Sequence, residues 1–308
     1  MSNKSQHHPP NKNRNIHNLL AVIAFIFVIG SLAYLFKIHS SNPSRLLKAE
    51  SSSQTNQTAK KSFENEQDQE NDQDNINWKK QDETVKVPIL MYHAIHVMAD
   101  SESGSANLIV APDTFESHIK SLSEQGYYFL TPEEAYKVLS ENVLPNGNKK
   151  IIWLTFDDGD ADFYTNAYPI MKKYKARGSN NIITSYIGKE GFLTVDQLKE
   201  MKKNGMSFQS HTVNHPDLSA TSDNEQGTEL TESKSWLDST LNQDTIALAY
   251  PSGRYTDTSL SLAEKLGYKM AVTTNEGLAS AENGLYALNR VRILPTTSPD
   301  DLLSTISW

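Results

Sequence analysis

From residue 85 onward, the chain alternates short apolar runs with longer amphipathic segments. The runs are rich in β-branched and aromatic residues and predict eight β-strands: VPILMYH (87–93), YYFL (127–130), IIWLTF (151–156), NIITSY (181–186), MSFQSH (206–211), TIALAYP (245–251), YKMAVTT (268–274) and LNRVRIL (288–294). Helices are predicted between them, with starts at Pro112, Pro132, Thr165, Thr194, Glu225 and Asp257. Strands that alternate with helices of about ten to fifteen residues indicate a parallel sheet. We therefore expect a closed or nearly closed α/β barrel, with a flat doubly wound sheet as the alternative.

Capping residues support several of these helices. Thr131 before Pro132, and Thr194 with Gln197 three positions later, are typical N-terminal caps. Glycines occupy the positions where three helices should end, namely 126, 205 and 267.

A different pattern precedes the globular part. Residues 19–36, LLAVIAFIFVIGSLAYLF, carry no charge and are just long enough to span a bilayer as a helix. Lys12 and Arg14 lie before this run, which places the N-terminus in the cytoplasm by the positive-inside rule. The alternative is a cleaved signal peptide, with Ser31 and Ala33 near the cleavage site. We expect a cytoplasmic tail (1–18), a transmembrane signal anchor (19–36) and an extracellular domain, or secretion if the segment is cleaved.

The segment 37–83 is dominated by Ser, Asn, Gln, Asp and Glu. It contains too few apolar residues to offset the entropy of folding, so it is predicted to be a disordered linker. The catalytic domain is then predicted to span 84–308.

Composition narrows the possible chemistry. The 308 residues carry a net charge of -8 and include no cysteine. The absence of cysteine excludes disulfides, thiolate metal sites and thiol catalysis. The net negative charge argues against nucleic acid as a partner, because phosphate binding requires a basic face.

Polar residues follow several of the predicted strands. Asp157 and Asp158 end the third run, His211 and His215 follow the fifth, and His93 ends the first. The carboxyl ends of barrel strands carry the chemistry in α/β barrels, so these side chains are expected to converge.

Each cluster also has an ordinary structural interpretation. An Asp-Asp-Gly turn is common in loops, and a single histidine is often a surface or buried structural residue. His211 and His215 are four positions apart, so a helical turn or a tight loop could place both imidazoles on one ion. Two imidazoles and one carboxylate suit Zn²⁺, with one coordination position left open for water. His93 is either a buried structural histidine or an acid–base group.

TFDDG (155–159) and SHTVNHP (210–216), in this order and separation, resemble the first two motifs of the polysaccharide deacetylases, carbohydrate esterase family four. The resemblance covers about 89–293. It implies a distorted (β/α) barrel that hydrolyses N-acetyl groups from N-acetylglucosamine polymers, or sometimes O-acetyl groups from xylan. It also implies a divalent metal, with Zn²⁺ expected first and Co, Ni or Mn as alternatives.

The same resemblance implies roles for individual residues. Asp157 corresponds to the catalytic base, and the metal ligands correspond to Asp158, His211 and His215. The third family motif is replaced by AYPSG (249–253), in which Tyr250, Pro251 and the Ser252 N–H would contact the substrate or its oxyanion.

The arginine of that third motif is missing, because Ala249 stands in its position. Arg290 or Arg292 is the candidate to replace it as partner of the base. Arg254 is nearer in sequence but could face solvent.

The family's late Leu-x-His motif is also missing, because no histidine follows His215. The strings LMYHAI, AYPSG and LNRVRI resemble the branch that deacetylates poly-N-acetylglucosamine, in which an acid histidine precedes the Asp-Asp motif. This resemblance implies that His93 is the general acid, with His96 as the next candidate.

The sequence does not separate poly-N-acetylglucosamine from peptidoglycan as the substrate of an anchored extracellular enzyme. An O-acetyl esterase and an inactive cell-wall glycan-binding homologue remain as alternatives.

Overall fold

The computed structural model describes residues 76–308. The predicted cytoplasmic tail, the predicted membrane anchor and most of the predicted linker lie outside the described residues. Among residues 76–308, no helix is both long and apolar enough to cross a membrane.

Strands and helices alternate along the described chain. The strands are β1 (Trp78–Lys80), β2 (Ile89–Tyr92), β3 (Tyr128–Phe129), β4 (Val143–Pro145), β5 (Ile151–Asp158), β6 (Ser179–Ile182), β7 (Ser207–Ser210), β8 (Ala247–Ala249), β9 (Met270–Glu276) and β10 (Leu288–Arg292). The α-helices are α1 (Pro112–Glu124), α2 (Pro132–Glu141), α3 (Tyr168–Lys173), α4 (Val195–Lys203), α5 (Asp223–Leu241), α6 (Asp257–Lys265) and α7 (Pro299–Ile306).

Seven parallel strands close into a barrel in the order β2, β5, β6, β7, β8, β9, β10 and back to β2. The closing pair runs in register from Ile89 opposite Trp153 to Tyr92 opposite Phe156. The closure confirms the predicted barrel and excludes the flat doubly wound sheet. The second predicted strand, which corresponds to β3, pairs only with the first two residues of β5 and lies outside the ring.

The helix signals are largely confirmed. The side chains of Thr131 and Thr194 cap α2 and α4, each within a reciprocal capping box. The third predicted helix begins as a single π-helical turn, Phe163–Ala167, before α3. The helix α7 was not predicted.

Two predicted boundaries are wrong. The fourth strand occupies Ser179–Ile182 rather than 181–186, because the chain turns into a short 3₁₀ segment at Thr184–Tyr186. The predicted linker also overlaps the fold, since Trp78–Lys80 pairs antiparallel with Val143–Pro145. The polar neighbours of Trp78 hide this strand in the sequence, and its pairing partner lies more than 60 residues away.

Three apolar clusters hold the fold together. The outer cluster fills the space between the barrel and helices such as α1 and α4, and includes Leu154, Phe156 and Phe208. The barrel-core cluster includes Ile151 and Trp153. The third cluster packs β8 and β9 against α5 and α6.

Side chains alternate between the two faces of a strand, and this alternation positions the site. The inner face of β5 reads Ile151, Trp153, Thr155 and Asp157, so it changes from apolar to polar toward its carboxyl end. Trp153 donates its indole N–H to Ser179, and Thr155 donates its hydroxyl to the Leu90 carbonyl. The barrel core therefore ends in a polar layer at the carboxyl ends of its strands.

Candidate active site

Asp157 is the centre of this polar layer. It is 2 % exposed and is held by Arg290 at both carboxylate oxygens, with N–O distances of 2.9 and 2.7 Å. Asn181 on β6 donates its side-chain amide to Oδ1 at 2.7 Å. The carboxylate is thus fixed in one orientation by three hydrogen bonds, one from the adjacent strand β6 and two from β10, which lies on the far side of β2.

Arg290 is itself completely buried. Its Nε donates to the Thr273 carbonyl at 2.7 Å, and one terminal nitrogen also contacts Thr155 Oγ1 at 3.1 Å. Burial of Asp157 raises the pKa of its carboxyl, but the opposing effect of Arg290 and His211 is larger. The net pKa of Asp157 is therefore well below its ordinary value, and the group is ionised near neutral pH.

Asp158, His211 and His215 form the candidate metal centre. Asp158 Oδ1 lies 3.5 Å from His211 Nε2 and 3.8 Å from His215 Nε2, and one ligand atom from each residue lies within 4.8 Å of the others. His211 Nδ1 is 2.8 Å from the Ala249 carbonyl. Because a carbonyl can only accept, Nδ1 carries the proton in the neutral ring and Nε2 presents its lone pair toward the other two ligands.

Four residues at or next to this centre have an unusual backbone conformation. Asp158, Thr212, His215 and Ser252 all have positive φ, at 80°, 66°, 58° and 53°. Such values are uncommon for residues other than glycine, and a β-branched residue such as Thr212 adopts them least readily. Strained residues of this kind persist where the surrounding structure holds them, which is typical of functional sites.

The two histidines lie in a tight loop rather than in a helical turn. The His215 N–H donates to Thr212 Oγ1 at 3.0 Å. Glu229 on α5 accepts the N–H groups of Val213 and Asn214, each at 2.8 Å. This carboxylate fixes the loop between the two candidate ligands.

His93 is placed beside Asp157, as its position in the sequence predicted. Its Nε2 lies 3.9 Å from Asp157 Oδ2, and its side chain is 14 % exposed. Burial lowers the pKa of His93 more than the carboxylates of Asp157 and Asp158 raise it. His93 is therefore neutral in the free site at neutral pH.

His96 lies in a separate group of charges. Its ring nitrogens contact Asp162 at 2.7 Å and Glu102 at 3.2 Å. A cleft of about 410 Å³ is lined by His96 and these carboxylates together with His93 and Asp158. Asp160 also lines it, and burial together with Asp162 and Asp158 raises the pKa of Asp160 to about 7.

The AYPSG segment only partly matches the predicted role. Tyr250 is completely buried in the third cluster, stacks on Tyr255 and donates its hydroxyl to the Tyr286 carbonyl, so its side chain does not face the site. Pro251 is buried as well. Ser252 is exposed at a left-handed turn immediately after β8, and the contact from His211 to Ala249 ties that strand end to the metal centre.

The structure distinguishes the three candidate arginines. Arg290 contacts Asp157, whereas Arg292 Nε is 3.9 Å from Glu276 and Arg254 is largely exposed and pairs with Asp217. Arg290 on β10 thus takes the place of the arginine that the third family motif would have at position 249.

Two contributing residues, Asn181 and Glu229, were not identified from the sequence. Asn181 lies in a run that was assigned as a strand without chemistry, and Glu229 lies on a helix among many exposed polar residues. The only sequence feature that could have pointed to Asn181 is the unusually polar composition of its strand, SNNI.

Comparisons with known proteins identify the family. The model of the polysaccharide deacetylase family matches residues 145–271. Bacillus subtilis YxkH, whose name assigns it to the same family, is 40 % identical over 230 residues, which are 75 % of this chain and 79 % of the relative. A Staphylococcus aureus poly-β-1,6-N-acetyl-D-glucosamine N-deacetylase is 32 % identical over 201 residues, or 61 % and 68 % of the two chains.

A solved structure is also similar. The Streptococcus pyogenes deacetylase PplD, in complex with acetate, superimposes with a TM-score of 0.71 and 58 % identity. The match covers 73 % of this chain and all of that one. The chain therefore belongs to the polysaccharide deacetylase family and is a hydrolase of the deacetylase type, as the resemblance predicted.

Proposed function

We propose that this protein hydrolyses N-acetyl groups from a polysaccharide containing N-acetylglucosamine, releases acetate and depends on a divalent metal ion. The observation that carries this proposal is the fixed, ionised Asp157 next to the group of Asp158, His211 and His215. The similarity to a poly-N-acetylglucosamine N-deacetylase supports an acetylated glucosamine polymer as the substrate class.

The three candidate ligands fit a metal ion by their chemistry. Two imidazoles and one carboxylate suit Zn²⁺, and Co, Ni or Mn are alternatives. His211 donates from Nδ1 to a carbonyl and so leaves Nε2 free to bind. A bound divalent ion would polarise the acetyl carbonyl and make water a better nucleophile near neutral pH.

The remaining steps fall to side chains of this chain. Asp157 accepts a proton from the attacking water, and Arg290 and Asn181 hold its carboxylate in place. The Ser252 N–H helps to stabilise the oxyanion that develops on the acetyl oxygen. His93 delivers a proton to the leaving amine, which would otherwise leave poorly. Because His93 is neutral in the free site, the proton that it delivers is the one that Asp157 has taken from water, and its Nε2 lies 3.9 Å from Asp157 Oδ2. This transfer returns both groups to their starting states, and the acetic acid formed loses its remaining proton to solvent.

The substrate is an extracellular polymer in this proposal, either poly-N-acetylglucosamine or peptidoglycan. The uncharged run 19–36, with Lys12 and Arg14 before it, supports anchoring at the cell membrane with the catalytic domain outside. Protease added to intact protoplasts should then remove the domain, and full protection of the domain would refute this topology.

Acetate release from several glycans tests the activity. The purified full-length chain should release acetate from poly-N-acetylglucosamine, chito-oligomers or peptidoglycan, and a chelator should abolish the release until metal is returned. Release only from acetylated xylan would favour the O-acetyl esterase. Binding of glycans without release of acetate from any of them would favour an inactive glycan-binding protein.

A further inference from the structure

Two aromatic side chains stand apart from the packing of the rest of the domain. Among residues 76–308, every Phe, Tyr and Trp belongs to or packs against one of the three apolar clusters, except Tyr186 and Phe192. Both are only partly buried, and their ring centroids are 4.7 Å apart with an interplanar angle of 58°. Apolar surface that is left partly in solvent, and is not needed for the core, often marks a ligand-binding surface.

The loop that carries this pair is fastened to both segments of the metal centre. It connects β6 to α4. At its start, the N–H groups of Thr184 and Ser185 donate to the carbonyls of Thr212 and Val213, which lie between the two candidate histidine ligands. At its end, Leu193 donates to the Gly159 carbonyl at 2.9 Å.

The same loop forms part of the wall of the catalytic cleft. Phe192 pairs with Asp160 in an isolated antiparallel bridge, and Ala161 donates to the Gly191 carbonyl at 2.9 Å. Gly191 and Asp160 line the cleft that also contains His93 and Asp158. The aromatic pair is therefore held at the rim of the site by backbone hydrogen bonds, independently of any apolar core.

A polymer that places one acetamide beside Asp157 must extend its neighbouring units across this rim. A pyranose ring presents a face of C–H groups, which packs well against a flat aromatic ring. Lys189, whose Nζ lies 4.8 Å from the Tyr186 ring centroid, adds a hydrogen-bond donor for sugar hydroxyls at the same place.

We propose that Tyr186 and Phe192 form a sugar-binding subsite, which packs against a pyranose ring of the glycan next to the unit that is deacetylated. The proposal rests on the proposed function and names the residues that make the enzyme prefer a polymer over a single sugar. The pair determines specificity and does not touch the reacting atoms.

The test compares Tyr186→Ala/Phe192→Ala with wild type on N-acetylglucosamine oligomers of increasing length and on 4-nitrophenyl acetate. Loss of an aromatic contact of this kind should raise KM for the longest oligomer about 10-fold. The kcat should change little, and hydrolysis of the aryl acetate should be unchanged. Tyr164→Ala is the control, because Tyr164 and Tyr168 form another aromatic pair with a lysine, Lys172, over one ring, and the Tyr164 hydroxyl donates to Glu200 on α4.

Binding of the longest oligomer, measured by calorimetry, provides a readout that does not need turnover. Weaker binding by the double variant, with unchanged binding by Tyr164→Ala, supports the subsite even if no acetate is released, in which case only the proposed activity fails. Equal affinity of wild type and double variant overturns the subsite. Equal losses on oligomers and on 4-nitrophenyl acetate also overturn it, because they would show general damage to the catalytic cleft.

Discussion

Arg290 on β10 binds both carboxylate oxygens of Asp157 on β5, although the two residues are separated by 133 positions in the sequence. Both side chains are almost fully buried. A buried ion pair is maintained at a considerable desolvation cost, so its value lies in fixing charge and orientation rather than in stability. Here it keeps the candidate base ionised and holds it in one orientation beside the candidate metal centre.

Removal of this arginine should impair both stability and turnover. Arg290→Met leaves Asp157 buried without its counter-charge, which should cost about 3–5 kcal/mol in the free energy of unfolding. Urea unfolding measures this loss, and acetate release should fall while metal content is retained in the folded fraction. Arg292→Met is the control, since Arg292 is partly exposed and its Nε lies 3.9 Å from Glu276. A surface pair of this kind should contribute no more than about 1 kcal/mol to the free energy of unfolding. Equal stabilities of the two variants would show that the Arg290 pair is not important.

Replacement of one candidate ligand should remove the metal. We expect His215→Ala to lose stoichiometric metal, measured by elemental analysis after dialysis, and to lose acetate release with it. His96→Ala is the control, because His96 contacts Asp162 and Glu102 rather than the metal centre. Full metal content and full activity in His215→Ala would overturn the assignment of the centre.

Asp157 and His93 should both be dispensable for metal binding but not for turnover. Asp157→Asn and His93→Ala should each retain the metal and lose roughly 10²–10⁴-fold in rate on an N-acetyl substrate. On an activated aryl ester, His93→Ala should lose much less, because that leaving group needs no proton. Wild-type deacetylation of chito-oligomers by His93→Ala would mean that the acid lies elsewhere, with His96 as the next candidate.

Gly253 should be intolerant of a side chain. It has φ of 69°, and a Cβ there would lie 2.7 Å from the Thr274 backbone nitrogen. Gly253→Ala should therefore lower the free energy of unfolding by about 2–5 kcal/mol. The positive φ accounts for about 1–2 kcal/mol of this loss, and overpacking accounts for about 1–3 kcal/mol. It should also displace Ser252 and reduce activity. Gly205→Ala is matched in φ, at 87°, but has open space around it, so its cost should be only about 1–2 kcal/mol with normal activity.

His96 should make stability depend on pH. Burial lowers the pKa of His96, but its hydrogen bonds to Asp162 and Glu102 raise it more, so the net pKa in the folded state is raised. A raised histidine pKa stabilises the fold fully below roughly pH 6.5, and the contribution disappears as pH rises through the folded-state value. The difference in Tm between wild type and His96→Gln should therefore be large at pH 5.5 and small at pH 8.5. A difference in Tm that is constant across this range would contradict the assignment.

The sequence by itself determined the features that depend on local pattern. The strand runs, the capping residues Thr131 and Thr194 and the motifs around Asp157 and His211 identified the barrel and the family. These signals lie within a few consecutive residues, where side-chain alternation, turn chemistry and motif spacing are visible in one dimension.

Tertiary structure alone decided which distant residues complete the site. The partner of Asp157 could have been Arg290 or Arg292, and only barrel closure, which places β10 beside β2 and β2 beside β5, selects the inward-facing Arg290. The same closure places Asn181 beside Asp157, whereas helix packing brings Glu229 to the loop between the two histidines. The motif suggested that the Tyr250 side chain contacts the substrate. The structure shows instead that side-chain alternation at the end of β8 points Tyr250 into the third cluster, away from the site. Pairing between strands and packing of helices on the barrel depend on contacts across many tens of residues, and no local pattern in the sequence encodes them.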